Sequence, residues 1–208
     1  MKPILVLLAG PSCGGKTSIV REVRRRLPEG ACSVVAVDAY YRDLAHLQPA
    51  ERATSNFDHP DSLDWPLLKE HVARLLDGES ILAPTYDFAN HTRRREVLDI
   101  PSAPVIVVEG ILALYDEELN ALASVRAYVD APDQSCLDRR IGRDTTERGR
   151  TAESVRAQFE ATVLPMAEQF VKCTRDRAGL ILDGTQPIDG LAQRVLELVE
   201  ARRRRGLL

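Results

Sequence analysis

Apolar residues come in short continuous runs separated by stretches with helical spacing, and this alternation predicts an α/β fold. Ile4–Leu8 is an unbroken apolar run of the kind that fills a strand buried on both faces. It ends at Gly10–Lys16, after which Ile19, Val20, Val23 and Leu27 recur along one helix face. Ser33–Val37, Val105–Val108 and Val125–Val129 are further buried strands, and Leu180, Ile181 and Leu182 mark a weaker one. Leu67, Leu68, Val72, Leu75 and Leu76 form the inner stripe of a helix that Pro66 can start and Gly78 can stop. A last amphipathic helix carries Ile188, Leu191, Val195, Leu198 and Val199. Strands alternating with helices predict a mostly parallel central sheet with helices on both faces.

Two segments break the rhythm. Residues 81–100 hold short β pieces, Ile81–Ala83 and Val97–Ile100, around a polar, aromatic turn, which predicts a small β-hairpin inserted beside the sheet. Residues 136–160 put dense charge on a helical pattern, as expected of an arginine-rich lid. No repeat or linker divides the chain, so 1–208 reads as one domain.

Composition narrows the class. Of 208 residues, 44% are hydrophobic and 28% charged, the balance of a folded globular chain. A net charge of −3 speaks against a nucleic-acid coat. The longest clean apolar run, Ile4–Ala9, is far below the ~20 residues that span a bilayer, and only Lys2 precedes it, unlike a secretory signal. Cys13, Cys32, Cys136 and Cys173 include no CxxC pair, so reduced thiols in a cytoplasmic protein are expected.

The sharpest motif is Gly10-Pro11-Ser12-Cys13-Gly14-Gly15-Lys16-Thr17, which fits GxxxxGK[ST] between a buried strand and a helix. Phosphate oxygens need many donors at close range. Gly14 and Gly15 let backbone N–H groups turn inward, and the helix N-terminus that includes Ser18 adds partial positive charge. Lys16 can reach the outer phosphates of a nucleotide, and Thr17 offers a hydroxyl to Mg²⁺. Such a loop binds phosphate without saying where a phosphoryl group goes. A guanine-reading [NT]KxD string, which a GTPase switch needs, is absent.

In open parallel sheets, ligands sit at the carboxyl ends of strands. Asp38 follows Ser33–Val37, and Glu109 follows Val105–Val108. Alone, either acid is as often a turn former. Beside a phosphate loop, Asp38 suits the base that receives an alcohol proton. Glu109 suits a metal partner acting through water.

Further blocks carry a resemblance. They are Val37-Asp38-Ala39-Tyr40-Tyr41, Asn56-Phe57-Asp58-His59-Pro60, Tyr86-Asp87-Phe88-Ala89-Asn90-His91-Thr92-Arg93, Val108-Glu109-Gly110, and Arg139-Arg140-Ile141-Gly142-Arg143-Asp144 running into Glu147-Arg148-Gly149-Arg150. With the loop, they make the chain resemble the phosphoribulokinase/uridine kinase family of P-loop kinases. The resemblance implies transfer of a γ-phosphoryl group from ATP or GTP, with Mg²⁺, to the 5′-hydroxyl of uridine or cytidine. A related kinase acting on ribulose phosphate, pantothenate or nicotinamide riboside is the alternative. It implies Asp38 as general base and Asp58 on the ribose hydroxyls, with Tyr86 and His91 reading the pyrimidine between Phe57 and Phe88. It further implies Arg140 on ribose or phosphate, Arg143 and Arg148 on the ATP phosphates, Arg150 on the nucleoside and Gln158 near the base. A homo-oligomer, by family a tetramer, is expected, without nucleic acid or membrane partners. Pro11, Gly14, Ala39, Tyr40 and the Ala178–Gly179 pair depart from the family's usual residues. Arg202–Arg205 reads as a solvated tail.

Overall fold

The structure, a computed structural model, describes residues 2–205. In chain order the elements are β1 (Ile4–Ala9), α1 (Lys16–Arg26), β2 (Cys32–Ala36), α2 (Pro49–Ala53), α3 (Trp65–Leu76), β3 (Ile81–Asp87) and β4 (Thr92–Ile100). Then follow β5 (Val105–Glu109), α4 (Glu117–Leu122), β6 (Val125–Asp130), α5 (Asp133–Glu147), α6 (Ala152–Gln158), α7 (Leu164–Met166), β7 (Leu180–Asp183) and α8 (Ile188–Arg205).

Strands β2, β5, β1, β6 and β7 form one sheet in that order, with every neighbouring pair parallel. Alternation along each strand splits the core in two. Leu5, Leu7, Ile106, Val108 and Tyr128 point to one side, where α3 contributes Leu68, Val72 and Leu75. Val6, Leu8, Val105, Val107 and Ala127 point to the other, where α1 and α8 contribute Ile19, Val23, Leu191 and Val195. Both faces are covered, so strand β1 is buried at every residue, which is why it reads as an unbroken apolar run.

Boundaries differ from the sequence reading where backbone geometry changes. Val37 leaves β2 and starts a 3-10 turn, Val37–Tyr40, that carries Asp38. Glu109 is the last residue of β5 instead of the first after it. Gly110 then passes close to this turn: a Cβ there would lie 2.6 Å from Val37 Cβ.

The hairpin is present as a separate antiparallel sheet of β3 and β4, with longer strands than the apolar pieces suggest. Residues 94–99 of β4 are all exposed, so no alternation marks that strand. Segment 136–160 resolves into α5 and α6 with a left-handed turn at Gly149. Beyond α6 the rod continues with π-helical turns at Phe159–Val163 and Ala167–Val171 on either side of Pro165. Proline has no N–H for the normal ladder, and wider turns absorb the lost bond.

Candidate active site

At the carboxyl end of the sheet a cavity of about 1170 Å³ opens between the β1–α1 loop, the hairpin and the α5–α6 arm. Every site residue expected from the sequence lines it except Gly10 and Gly14, which belong to the loop but do not face the cavity.

The loop is wound tightly. Gly10, Cys13 and Gly15 all have positive φ, and Gly14 N–H donates to Pro11 O at 3.0 Å. A Cβ at position 14 would sit 3.0 Å from that same oxygen, so Pro11 and Gly14 form a matched pair. Lys16 is buried, and its Nζ donates to Gly10 O (3.0 Å) and Pro11 O (2.8 Å), bracing the loop from inside. Burial lowers its pKa, and the charge of Glu109 opposes that shift. Thr17 Oγ1 donates to Glu109 Oε1 at 2.8 Å. The first residue of α1 past the lysine therefore meets the end of β5, as the motif and strand-end acids imply.

Asp38 projects from its turn into the cavity, where it stands in a deep recess. The protein packed around that recess pushes its carboxyl up to about 6; Glu109 adds to the shift, while Lys16, Arg148 and Arg143 oppose it. Asp58 is also raised by burial, with Arg140 and Lys16 opposing.

Between them lies Tyr41, a cavity residue the sequence reading does not single out. Its hydroxyl is pushed well above the ordinary range by burial, then by the charges of Asp38 and Asp58. The signal was available in the doubled Tyr40-Tyr41, whose first member instead points away and bonds His71 Nδ1 at 2.8 Å.

The hairpin supplies an aromatic wall. Tyr41 packs edge-on against Phe57 (5.2 Å) and Tyr86 (5.3 Å), and Phe57 stacks on the His91 ring at 4.6 Å and 14°. Burial, then the nearby Arg148, lowers the His91 pKa and favours neutral imidazole. Tyr86 Oη is buried without a hydrogen-bond partner. Phe88 is part exposed at the mouth, with the Arg148 guanidinium 5.3 Å from its ring centre.

The arm brings four arginines around one fully buried acid, Asp144. Arg143 Nε donates to Asp144 Oδ1 at 2.8 Å, and Arg148, Arg140 and Arg150 approach at 3.5, 3.6 and 3.8 Å. The Arg148 and Arg150 backbone N–H groups both donate to Asp144 O. Arg140 also donates to Ser12 Oγ (3.1 Å) and, with Arg150, to Gln158 Oε1. Asp144→Ala would leave these guanidiniums facing one another and should lower stability by about 3 kcal/mol or more, read from the urea midpoint. A variant as stable as the parent would show that the cluster does not need the acid.

Two other features escape the sequence reading. Arg139 donates to Cys13 O and Gly14 O, both at 3.4 Å, and to Gly184 O at 3.0 Å, tying the phosphate loop to the turn after β7. That turn, 184–188, lines the cavity. In the sequence, Arg139 is one arginine among five; only the direction of its side chain separates it from Arg140.

The chain as a whole has relatives. Residues 5–188 match the Phosphoribulokinase / Uridine kinase family. A uridine kinase of Clostridium novyi (strain NT) is 39% identical over 182 residues, 88% of each chain. A uridine kinase of Tolumonas auensis is 37% identical over 209 residues, covering 99% of this chain and 96% of its own. Phosphoribulokinase from Rhodobacter spheroides shares the fold, with a TM-score of 0.63 at 17% identity over 90% of this chain and 74% of that one. A phosphate loop facing two strand-end acids, matched nearly end to end by relatives of this kind, makes the chain an enzyme of the phosphoribulokinase/uridine kinase family of P-loop kinases, with a nucleotide as phosphoryl donor.

Proposed function

We propose that the protein transfers the γ-phosphoryl group of ATP to the 5′-hydroxyl of uridine or cytidine, giving UMP or CMP and ADP. One observation carries this reading: the aromatic recess of Tyr41, Phe57, Tyr86 and His91 opens into the same cavity as Asp38, Asp58 and the phosphate loop. A flat ring stacks in such a recess, and the unpartnered Tyr86 hydroxyl and the neutral His91 offer hydrogen bonds to its edge. The site residues work as a sequence of contacts. Asp58 accepts hydrogen bonds from the ribose diol, with Arg140, Arg150 and Gln158 flanking the nucleoside. Loop N–H groups of the cavity-lining residues from Ser12 to Ser18, together with Lys16, Arg143 and Arg148, hold the triphosphate, with Gly10 and Gly14 shaping the loop behind them. Asp38 takes the 5′-hydroxyl proton as the new P–O bond forms and the bond to ADP breaks.

The hard oxygen donors of Thr17 and Glu109, 2.8 Å apart, fit Mg²⁺, which keeps part of its water shell and takes its other ligands from phosphates. Bound there, the ion would neutralise charge on the outer phosphates. GTP as a second donor, a homotetrameric assembly and a cytoplasmic setting belong to the same reading, with 1–208 working as one kinase domain. No helix among the described residues is long and apolar enough to cross a membrane.

The test is a panel: purified protein, Mg-ATP and each common nucleoside, ribulose phosphate, pantothenate and nicotinamide riboside, reading ADP release. Turnover with uridine or cytidine is expected; turnover only with another acceptor of the panel would overturn the assignment. Within that assay His91→Ala should raise the uridine and cytidine KM by about tenfold, the scale of one lost ring-edge contact, and leave the ATP KM nearly unchanged. Equal effects on both would make the hairpin structural.

A further inference from the structure

The hairpin that faces the nucleoside and the turn that carries Asp38 are separate pieces of chain, and one guanidinium joins them. Arg93, on β4, donates from Nε to Tyr41 O at 2.8 Å and from Nη2 to Tyr40 O at 3.3 Å. The same Nη2 donates to Asp64 Oδ2 at 3.1 Å. Its backbone N–H donates to Asp43 Oδ1 at 3.2 Å.

Tyr41 lines the cavity, and the Tyr40 and Asp64 acceptors lie just behind that wall. Tyr40 closes the 3-10 turn that holds Asp38. Tyr41 packs against Phe57 and Tyr86. Asp64 caps α3, accepting from Leu67 N–H, and its own N–H donates to Tyr40 O. In the β3–β4 ladder the register partner of Arg93 is Tyr86. The strand position that carries the guanidinium therefore lies directly opposite the tyrosine of the aromatic wall. Arg93 itself does not line the cavity.

We propose that Arg93 is a positioning residue that sets the spacing between the nucleoside-binding hairpin and Asp38, so that the acceptor hydroxyl meets the base. The inference rests on the nucleoside-kinase reading above. Arginine suits the task because its planar fork serves several acceptors in fixed directions, whereas lysine offers a single point charge. A displacement of about 1 Å at a reacting centre can cost roughly 100-fold in rate.

The experiment uses the full chain with Arg93→Ala and Arg93→Lys, both checked for folding by thermal melt. With uridine, Arg93→Ala should lose about 10²-fold in kcat and show a higher uridine KM, with an unchanged ATP KM. Free guanidinium at a non-denaturing concentration should restore part of that loss, and sodium chloride at equal ionic strength should not. Arg93→Lys should fall between Arg93→Ala and the parent. If Arg93→Ala does not fold, the KM split in Arg93→Lys carries the test.

Parental kcat and KM in these variants would overturn the proposal, as would parallel rises in both KM values or a loss insensitive to guanidinium. Amide exchange at 86–91 in ligand-free protein needs no substrate. It should accelerate in Arg93→Ala, and unchanged exchange there would also count against the proposal. A parent protein inactive on every nucleoside would instead refute the functional reading, with the exchange result standing on its own.

Discussion

Asp38→Asn should lower kcat by about 10²–10⁴-fold while ATP still binds, because the substitution removes only the destination of the acceptor proton. Asparagine keeps the shape of the side chain and leaves the loop, Lys16 and the arginine cluster untouched. Steady-state kcat at saturating substrates and ATP binding by calorimetry measure the two halves separately, and an unchanged kcat would remove Asp38 from its role. The pH profile gives a second signature. A base must be ionised, and the Asp38 carboxyl is pushed up to about 6, so kcat/KM for uridine should fall as pH drops through about 6. The variant should lose that acidic limb.

The same shift bears on stability. A folded-state pKa above the unfolded value means that the folded chain binds this proton more tightly. Ionisation therefore weakens the fold as pH rises from about 4 to about 6. Asp38→Asn should be no less stable than the parent at neutral pH, although it is nearly inactive. The side chain is exposed to the cavity, so any gain in melting temperature is small.

Lys16→Ala should reduce kcat/KM for ATP by about 10²–10³-fold, the scale of one lost preorganised donor at a charged transition state. Two effects combine. The buried ammonium no longer meets the outer phosphates, and Gly10 O and Pro11 O lose the donor that braces the loop. Because Lys16 also opposes the upward shift of Asp38, its removal should carry the acidic limb of the pH profile above about 6. An ATP titration with turnover at several pH values tests both. Near-normal turnover would contradict the phosphate role of the loop.

What the sequence makes legible follows from how each residue is surrounded. Strands β1 and β5 are buried at every residue, so composition alone marks them. The phosphate loop is legible because glycine, lysine and hydroxyl positions are dictated by the phosphate itself. Strand β4 is wet along residues 94–99, and a strand without a buried face leaves no alternating pattern. Asp144 and Arg139 lie in a charge-dense helix where every charged residue looks solvated; only burial of the acid and the aim of the arginine single them out. Pro165 marks where the rod must leave the normal ladder, but not that wider turns flank it on both sides.

The close approach at Gly110 has a consequence for how this enzyme can vary. Val37 opens the turn that holds one carboxylate, and Glu109, the neighbour of the glycine, is the other. A single methyl group at 110 would act as a wedge against that turn, since its carbon would fall 2.6 Å from Val37 Cβ. The seat of the Asp38 turn against the end of β5 thus depends on a missing side chain, and sequence drift at that point is barred on steric grounds before chemistry is consulted.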